Sequence, residues 1–196
     1  RNKMITKAAY QLQEHQKRVS DKLEKEPGII ANHGLGSGKT LTMLHSAQDR
    51  LKNNPSGKVL FVVPASLQEN IRKEIKKHDI DIPDNKLILK SYEKAVKDSD
   101  ELKKENIVFA TADEAHKLRN PGTKRQSELK EVFNNADKTL LSTGTPAYNK
   151  ARDIAPLINI AKKDDVLPEG SKFDSQYISK PTPKKTFLGI TTQKEK

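Results

Sequence analysis

The five consecutive apolar residues Val59-Leu60-Phe61-Val62-Val63 constrain the fold more than any other feature of the chain. Side chains of a strand alternate between two faces, so a strand can be apolar throughout only where both faces are covered. Shorter apolar runs recur at Gly28–Ala31, Leu87–Leu89, Ile107–Ala110 and Thr139–Leu141. Between them lie segments with helical periodicity. Lys39 to about Leu51 carries Leu41, Met43, Leu44 and Ala47, and Ser66–Lys77 carries Leu67, Ile71 and Ile75 on one stripe. Ser127–Phe133 and Ala151–Ile160 read as further helices, and Asn53–Gly57 as a turn. This alternation predicts a three-layer α/β/α fold around a mainly parallel, doubly wound sheet. After about Ala161 the pattern stops, and Pro168, Gly170, Pro181 and Pro183 punctuate a Lys-rich stretch. The reading is therefore one domain over residues 1–160 and an extension or linker over 161–196.

Composition removes several alternatives. The chain has 196 residues and no Cys, which excludes a disulfide scaffold, a Cys-ligated zinc site and a thiol nucleophile. The His residues show no metal-ligand spacing. No apolar stretch approaches the roughly 18 residues of a membrane span. No signal peptide opens the chain, and a cytoplasmic, nucleoid-associated or virion-associated protein is expected, not a secreted or membrane one. Without an initiator Met, the chain is expected to be cut or processed from something longer. The net charge of +11 suits a polyanionic partner such as nucleic acid. It equally suits a Lys-rich, AT-biased composition, because only 7 of the 37 basic residues are Arg and they form no block.

Two short segments carry chemistry. His33-Gly34-Leu35-Gly36-Ser37-Gly38-Lys39-Thr40 stands between a predicted strand and a predicted helix. Glycines allow a tight turn that aims backbone N–H groups at phosphate oxygens, and the helix N-terminus adds partial positive charge. Lys39 can reach the β- and γ-phosphates, and the Thr40 hydroxyl can ligate magnesium. His33 replaces the first Gly of the usual G-x-x-x-x-G-K-S/T pattern. The second segment, Asp113-Glu114-Ala115-His116, follows the strand at Ile107–Ala110. Carboxylates at the C-terminal end of such a strand lie beside the phosphate loop. Asp113 can hold magnesium and Glu114 can polarise an attacking water.

Taken in order, these residues resemble the superfamily 2 helicases and translocases, whose signature is a phosphate loop followed by Asp-Glu-Ala-His. Leu12-Gln13-Glu14-His15-Gln16-Lys17-Arg18-Val19 resembles the family's upstream segment, whose glutamine reads adenine, and implies that role for Gln16. Val63-Pro64-Ala65-Ser66-Leu67 resembles motif Ia, and Ser91-Tyr92-Glu93 resembles motif Ib. Leu118-Arg119-Asn120, with Thr123, Lys124 and Ser127, is similar to the LKNxxSK stretch after the acidic box. Leu141-Ser142-Thr143-Gly144-Thr145-Pro146, followed by Tyr148 and Asn149, resembles motif III in the TGTPxxN form of the SWI/SNF-like branch and its viral and phage relatives. The match covers about residues 10–160.

The resemblance implies an N-terminal RecA-like lobe that binds Mg-ATP. Gln16, Gly34, Leu35, Gly36, Ser37, Gly38, Lys39 and Thr40 would contact ATP. Thr40 and Asp113 would hold Mg2+, and Glu114 would activate water, with Asp113 and Lys39 completing the catalytic set. His116, Ser142, Thr143, Gly144 and Thr145 would couple the γ-phosphate state to the nucleic-acid side. Pro64, Ala65, Ser66, Arg119, Asn120 and Lys124 would contact nucleic acid, DNA rather than RNA by the TGTP form. Motifs IV to VI, with the arginine finger, belong to a second lobe of the same polypeptide and are absent here, so the isolated lobe should hydrolyse ATP slowly or not at all. Two other readings stay open from the residues: a P-loop NTPase of another kind, and a non-catalytic lobe that binds DNA or protein.

Overall fold

A computed structural model describes residues 7–32, 38–144 and 151–178 and the backbone of two short strands at 186–187 and 190–191. The described elements are α1 (Lys7–Lys25), β1 (Gly28–Asn32), α2 (Lys39–Asn53), β2 (Lys58–Val62), α3 (Ala65–Lys77), β3 (Leu87–Lys90), α4 (Tyr92–Lys97) and α5 (Ser99–Leu102). They continue with β4 (Ile107–Ala112), α6 (Lys124–Asn135), β5 (Lys138–Thr143), α7 (Ala155–Lys162), α8 (Ser171–Tyr177), β6 (Thr186–Phe187) and β7 (Ile190–Thr191). Five strands form one sheet in the order β1-β5-β4-β2-β3, with every pairing parallel. The expected α/β/α architecture is present.

The central strands behave as their continuous apolar runs require. On β2, Leu60 and Val62 join the core beneath α4, α6 and α7, whereas Val59 and Phe61 join the core beneath α1, α2 and α3. β4 breaks the alternation once. Lys58 pairs with Ile107 and Val59 with Phe109, so Val108 is the extra residue of a bulge. Val108 and Phe109 then both face the α2 side. A Cβ on Gly57 would stand 2.1 Å from Val108 Cγ1, which explains the glycine there.

Three local features depart from the sequence reading. The upstream segment is part of a 19-residue helix, α1, whose Val19 and Leu23 are buried. α6 begins at Lys124, three residues before Ser127, because the Thr123 hydroxyl accepts the Gln126 N–H at 3.2 Å and caps it. Residues Ala151–Ile154 form a 3-10 turn before α7, which opens with Pro156 in its first turn. Within the predicted extension, α8 is tied back through the Arg152–Asp174 ion pair. Among the described residues no helix is long and apolar enough to cross a membrane.

Candidate functional site

All five strands of the main sheet run parallel, so their C-terminal ends share one edge of the sheet. Every predicted contact residue from Gly38 to Gly144 follows or ends one of those strands. Gly34, Leu35, Gly36, Ser37 and Thr145 lie outside the described residues. The described part of the predicted phosphate loop begins at Gly38, whose φ of 69° places the N-cap of α2 in the left-handed region that glycine adopts without strain. Lys39 and Thr40 form the first turn of α2.

Lys39 crosses from α2 to the acidic segment. Its Nζ lies 2.5 Å from Asp113 Oδ1, and the Asp113 side chain is only 3% exposed. Asp113 follows β4, and its backbone N–H donates to the Val62 carbonyl at 3.0 Å. The same Oδ1 accepts the Glu114 N–H at 2.7 Å. Thus one carboxylate oxygen holds both the Lys39 ammonium and the turn that follows it. Glu114 then adopts φ 52°, ψ 46°, a left-handed conformation costing a non-glycine residue about 1–2 kcal/mol. Its side chain is 41% exposed, within 3.3 Å of Lys117 Nζ. This gives a buried carboxylate beside a lysine and a second, solvent-reachable carboxylate one residue on. A carboxylate and a hydroxyl are the hard oxygen donors that Mg2+ prefers, so Asp113 and Thr40 fit that ion.

Sequence reasoning did not place Tyr92 in the site. Tyr92 is 1% exposed, and its hydroxyl donates to the carbonyl of Asp113 at 2.7 Å and contacts that of Glu114 at 3.3 Å. Burial, then the nearby Asp113 and Glu114 charges, hold the phenol far above its usual pKa, so it stays a donor. Lys117 Nζ and Arg125 Cζ lie 5.3 Å and 5.8 Å from the ring centroid. The signal available in the sequence was a tyrosine at a strand end, since a buried Tyr hydroxyl needs a partner.

β5 separates β1 from β4, with Ser142 opposite Ala31 and Thr143 opposite Asn32 on one side. Ser142 and Thr143 are buried, and Gly144 follows at the strand end. The 3-10 helix Ala115–Leu118 packs against β5 and carries His116. Among the described residues, Ser142 Oγ and His116 Nδ1 are both buried without a hydrogen-bond partner. Burial holds the His116 imidazole below its ordinary pKa.

The predicted nucleic-acid contacts lie in the segments that follow β2 and β4. Pro64 is the N-cap of α3, and Ala65 and Ser66 open its first turn, exposed. Arg119 ends the 3-10 helix, Asn120 is exposed and its carbonyl accepts from the Thr123 hydroxyl, and Lys124 opens α6. Gln16 sits half-buried on α1, which packs on α2; it enters neither the Lys39–Asp113 ion pair nor the hydrogen bonds around it. A separate cleft of about 540 Å³ follows the open edge of β1 between α1 and α7 and includes neither Lys39 nor Asp113.

The fold is that of the N-terminal RecA-like lobe of superfamily 2 helicases. The model of the SNF2-related domain family matches residues 82–192, more than half of the chain, and the chain belongs to that family. Residues 9–81 match the model of the type III restriction enzyme res subunit. A protein of Acanthamoeba polyphaga mimivirus that bears an ATP-dependent RNA helicase name is 30% identical over 87% of this chain. The ISWI chromatin-remodeling complex ATPase ISW1 of Saccharomyces cerevisiae is 28% identical over 88% of it. The chain spans only 37% and 17% of the lengths of these two relatives. Among solved structures, the Sulfolobus solfataricus SWI2/SNF2 ATPase core in complex with dsDNA superposes with a TM-score of 0.71 at 24% identity, covering 85% of this chain and 38% of that one. The UvsW helicase of bacteriophage T4 gives 0.59 at 15% identity, covering 76% and 56%.

Proposed function

We propose that this chain is the ATP-binding lobe of a DNA-stimulated ATPase that moves on, or remodels, double-stranded nucleic acid. The observation that carries the reading is the 2.5 Å approach of Lys39 Nζ to buried Asp113 at the C-terminal edge of the sheet. Two parts of a phosphate-transfer site, 74 positions apart in sequence, meet where a nucleotide binds in parallel α/β folds. DNA is favoured by the TGTP form of the Ser142–Pro146 segment and by the chromatin-remodeling name of a relative.

Bound Mg-ATP supplies a γ-phosphoryl group whose transfer to water releases the energy. Lys39 would hold the phosphate oxygens in place of Asp113, and Asp113 and the Thr40 hydroxyl would then hold the magnesium ion, which would supply charge neutralisation at the phosphates. Glu114, exposed where Asp113 is not, takes the proton of the attacking water on its carboxylate. The buried Ser142 Oγ and His116 Nδ1, each without a partner among the described residues, would gain one with the γ-phosphate state and pass it across β5. Amides at the start of α3, with Arg119, Asn120 and Lys124, hold backbone phosphates without reading sequence, so binding falls steeply with salt. Residues 1–160 make the lobe and 161–196 lead toward a second lobe of the same polypeptide. That lobe supplies an arginine finger, worth about 10³–10⁵ in rate, so the isolated lobe is slow.

The test is ATP turnover by the complete protein with and without double-stranded DNA, beside Glu114→Gln. DNA should stimulate wild type, and the variant should bind ATP while its turnover falls to a small residual rate that DNA does not stimulate. Turnover that ignores both DNA and Glu114 would refute the assignment.

A further inference from the structure

The strained backbone at Glu114 has a visible holder. Glu114 is a non-glycine residue at φ 52°, directly after a buried carboxylate. Two groups fix that turn from opposite sides. Asp113 Oδ1 takes the Glu114 N–H at 2.7 Å, and the Tyr92 hydroxyl reaches the carbonyls of Asp113 and Glu114 at 2.7 and 3.3 Å. The ring is fully buried at the start of α4, in an element separate from the carboxylates it holds. Lys117 and Arg125 brace it as cations, and each is engaged by an acidic residue, Glu114 for Lys117 and Glu93 for Arg125.

We propose that Tyr92 is a positioning residue of the ATPase site, which holds the Asp113 and Glu114 carboxylates in line by clamping their main-chain carbonyls from α4. The inference rests on the ATPase reading for its effect on rate, but not for the clamp itself. Tyr92 touches no reacting atom; it acts on where Glu114 points. Misplacing a catalytic group by about 1 Å can cost about 100-fold.

Tyr92→Phe keeps the buried ring and removes only the donor. In the complete protein with double-stranded DNA, kcat per nucleotide-binding site should fall about 10–100-fold while the affinity for a fluorescent ATP analogue stays within about threefold. Glu114→Gln supplies the second arm. If Tyr92 acts through Glu114, adding Tyr92→Phe to Glu114→Gln costs no further single-turnover rate; a role in folding alone would multiply the two losses. In the 196-residue chain without nucleotide, Tyr92→Phe should shift the Glu114 and Ala115 amide resonances and spare those of β1. Wild-type kcat in Tyr92→Phe, multiplicative losses, or unmoved Glu114 and Ala115 resonances would each overturn the clamp. A wild-type protein that binds no ATP while these resonances do move would instead refute the ATPase reading and leave the clamp standing.

Discussion

Lys39 Nζ and Asp113 Oδ1 stand 2.5 Å apart, joining the first turn of α2 to the residue that follows β4. This pair neutralises a carboxylate that has almost no access to water. Lys39→Ala should therefore destabilise the chain by about 2–4 kcal/mol, under the upper end for buried pairs because the Lys39 side chain is 26% exposed. Lys39→Ala with Asp113→Asn should recover most of that loss, since no uncompensated charge remains. Urea unfolding of the three chains checks this; equal stability of Lys39→Ala and wild type would mean the pair holds nothing.

Glu114 sets function against stability. Its φ of 52° suits glycine, so Glu114→Gly should raise stability by about 1 kcal/mol while removing the carboxylate proposed to activate water. Thermal melts of Glu114→Gly and Glu114→Gln separate the two effects. Both should lose turnover, and only the glycine variant should gain stability.

Gly57 answers to Val108. Gly57→Ala should cost about 1–3 kcal/mol, because the new Cβ would stand 2.1 Å from Val108 Cγ1 and 2.9 Å from Cγ2. In a Val108→Ala background both of those atoms are gone, and the penalty of Gly57→Ala should shrink. A full double-mutant cycle measured by urea unfolding should give a non-additive result; strict additivity would contradict the contact.

Lys163 makes part of the stability pH-dependent. Its Nζ donates to the Phe133 and Asn134 carbonyls at 3.1 and 3.4 Å, at the end of α6. Burial pushes its pKa down to about 8 from the ordinary 10.5. Below pH 8 both folded and unfolded chains carry the proton, and the cost of the buried charge is fully present. Between pH 8 and 10.5 the unfolded chain holds the proton more strongly, so this contribution makes stability rise with pH. Wild type should gain on Lys163→Met between pH 7 and pH 9.5 in thermal melts; a constant gap would remove Lys163 as the source.

The strands of the sheet were legible because burial on both faces leaves uninterrupted apolar runs such as Val59–Val63 and Ile107–Ala110. The Lys39–Asp113 meeting was legible because the expected phosphate chemistry asks for both residue types and the parallel sheet brings their strand ends to one edge. α1 was harder to see: only Val19 and Leu23 of its described side chains are buried and hydrophobic, a weak stripe in a polar segment. The early start of α6 had a signal in Thr123 and Gln126, spaced as a capping pair, but the apolar period begins later. Tyr92 and Gly57 could not be read locally. The first depends on carbonyls 21 and 22 positions away, and the second on a valine 51 positions away that becomes its neighbour only through a bulge.

On the proposed reading, this lobe couples ATP hydrolysis to nucleic acid through Glu114. Steady-state ATP turnover by the complete protein, with and without double-stranded DNA and with Glu114→Gln in parallel, tests it most directly. Stimulation of about tenfold or more by DNA, abolished in Glu114→Gln, is the predicted result. Turnover unchanged by DNA, or retained in Glu114→Gln, would contradict it.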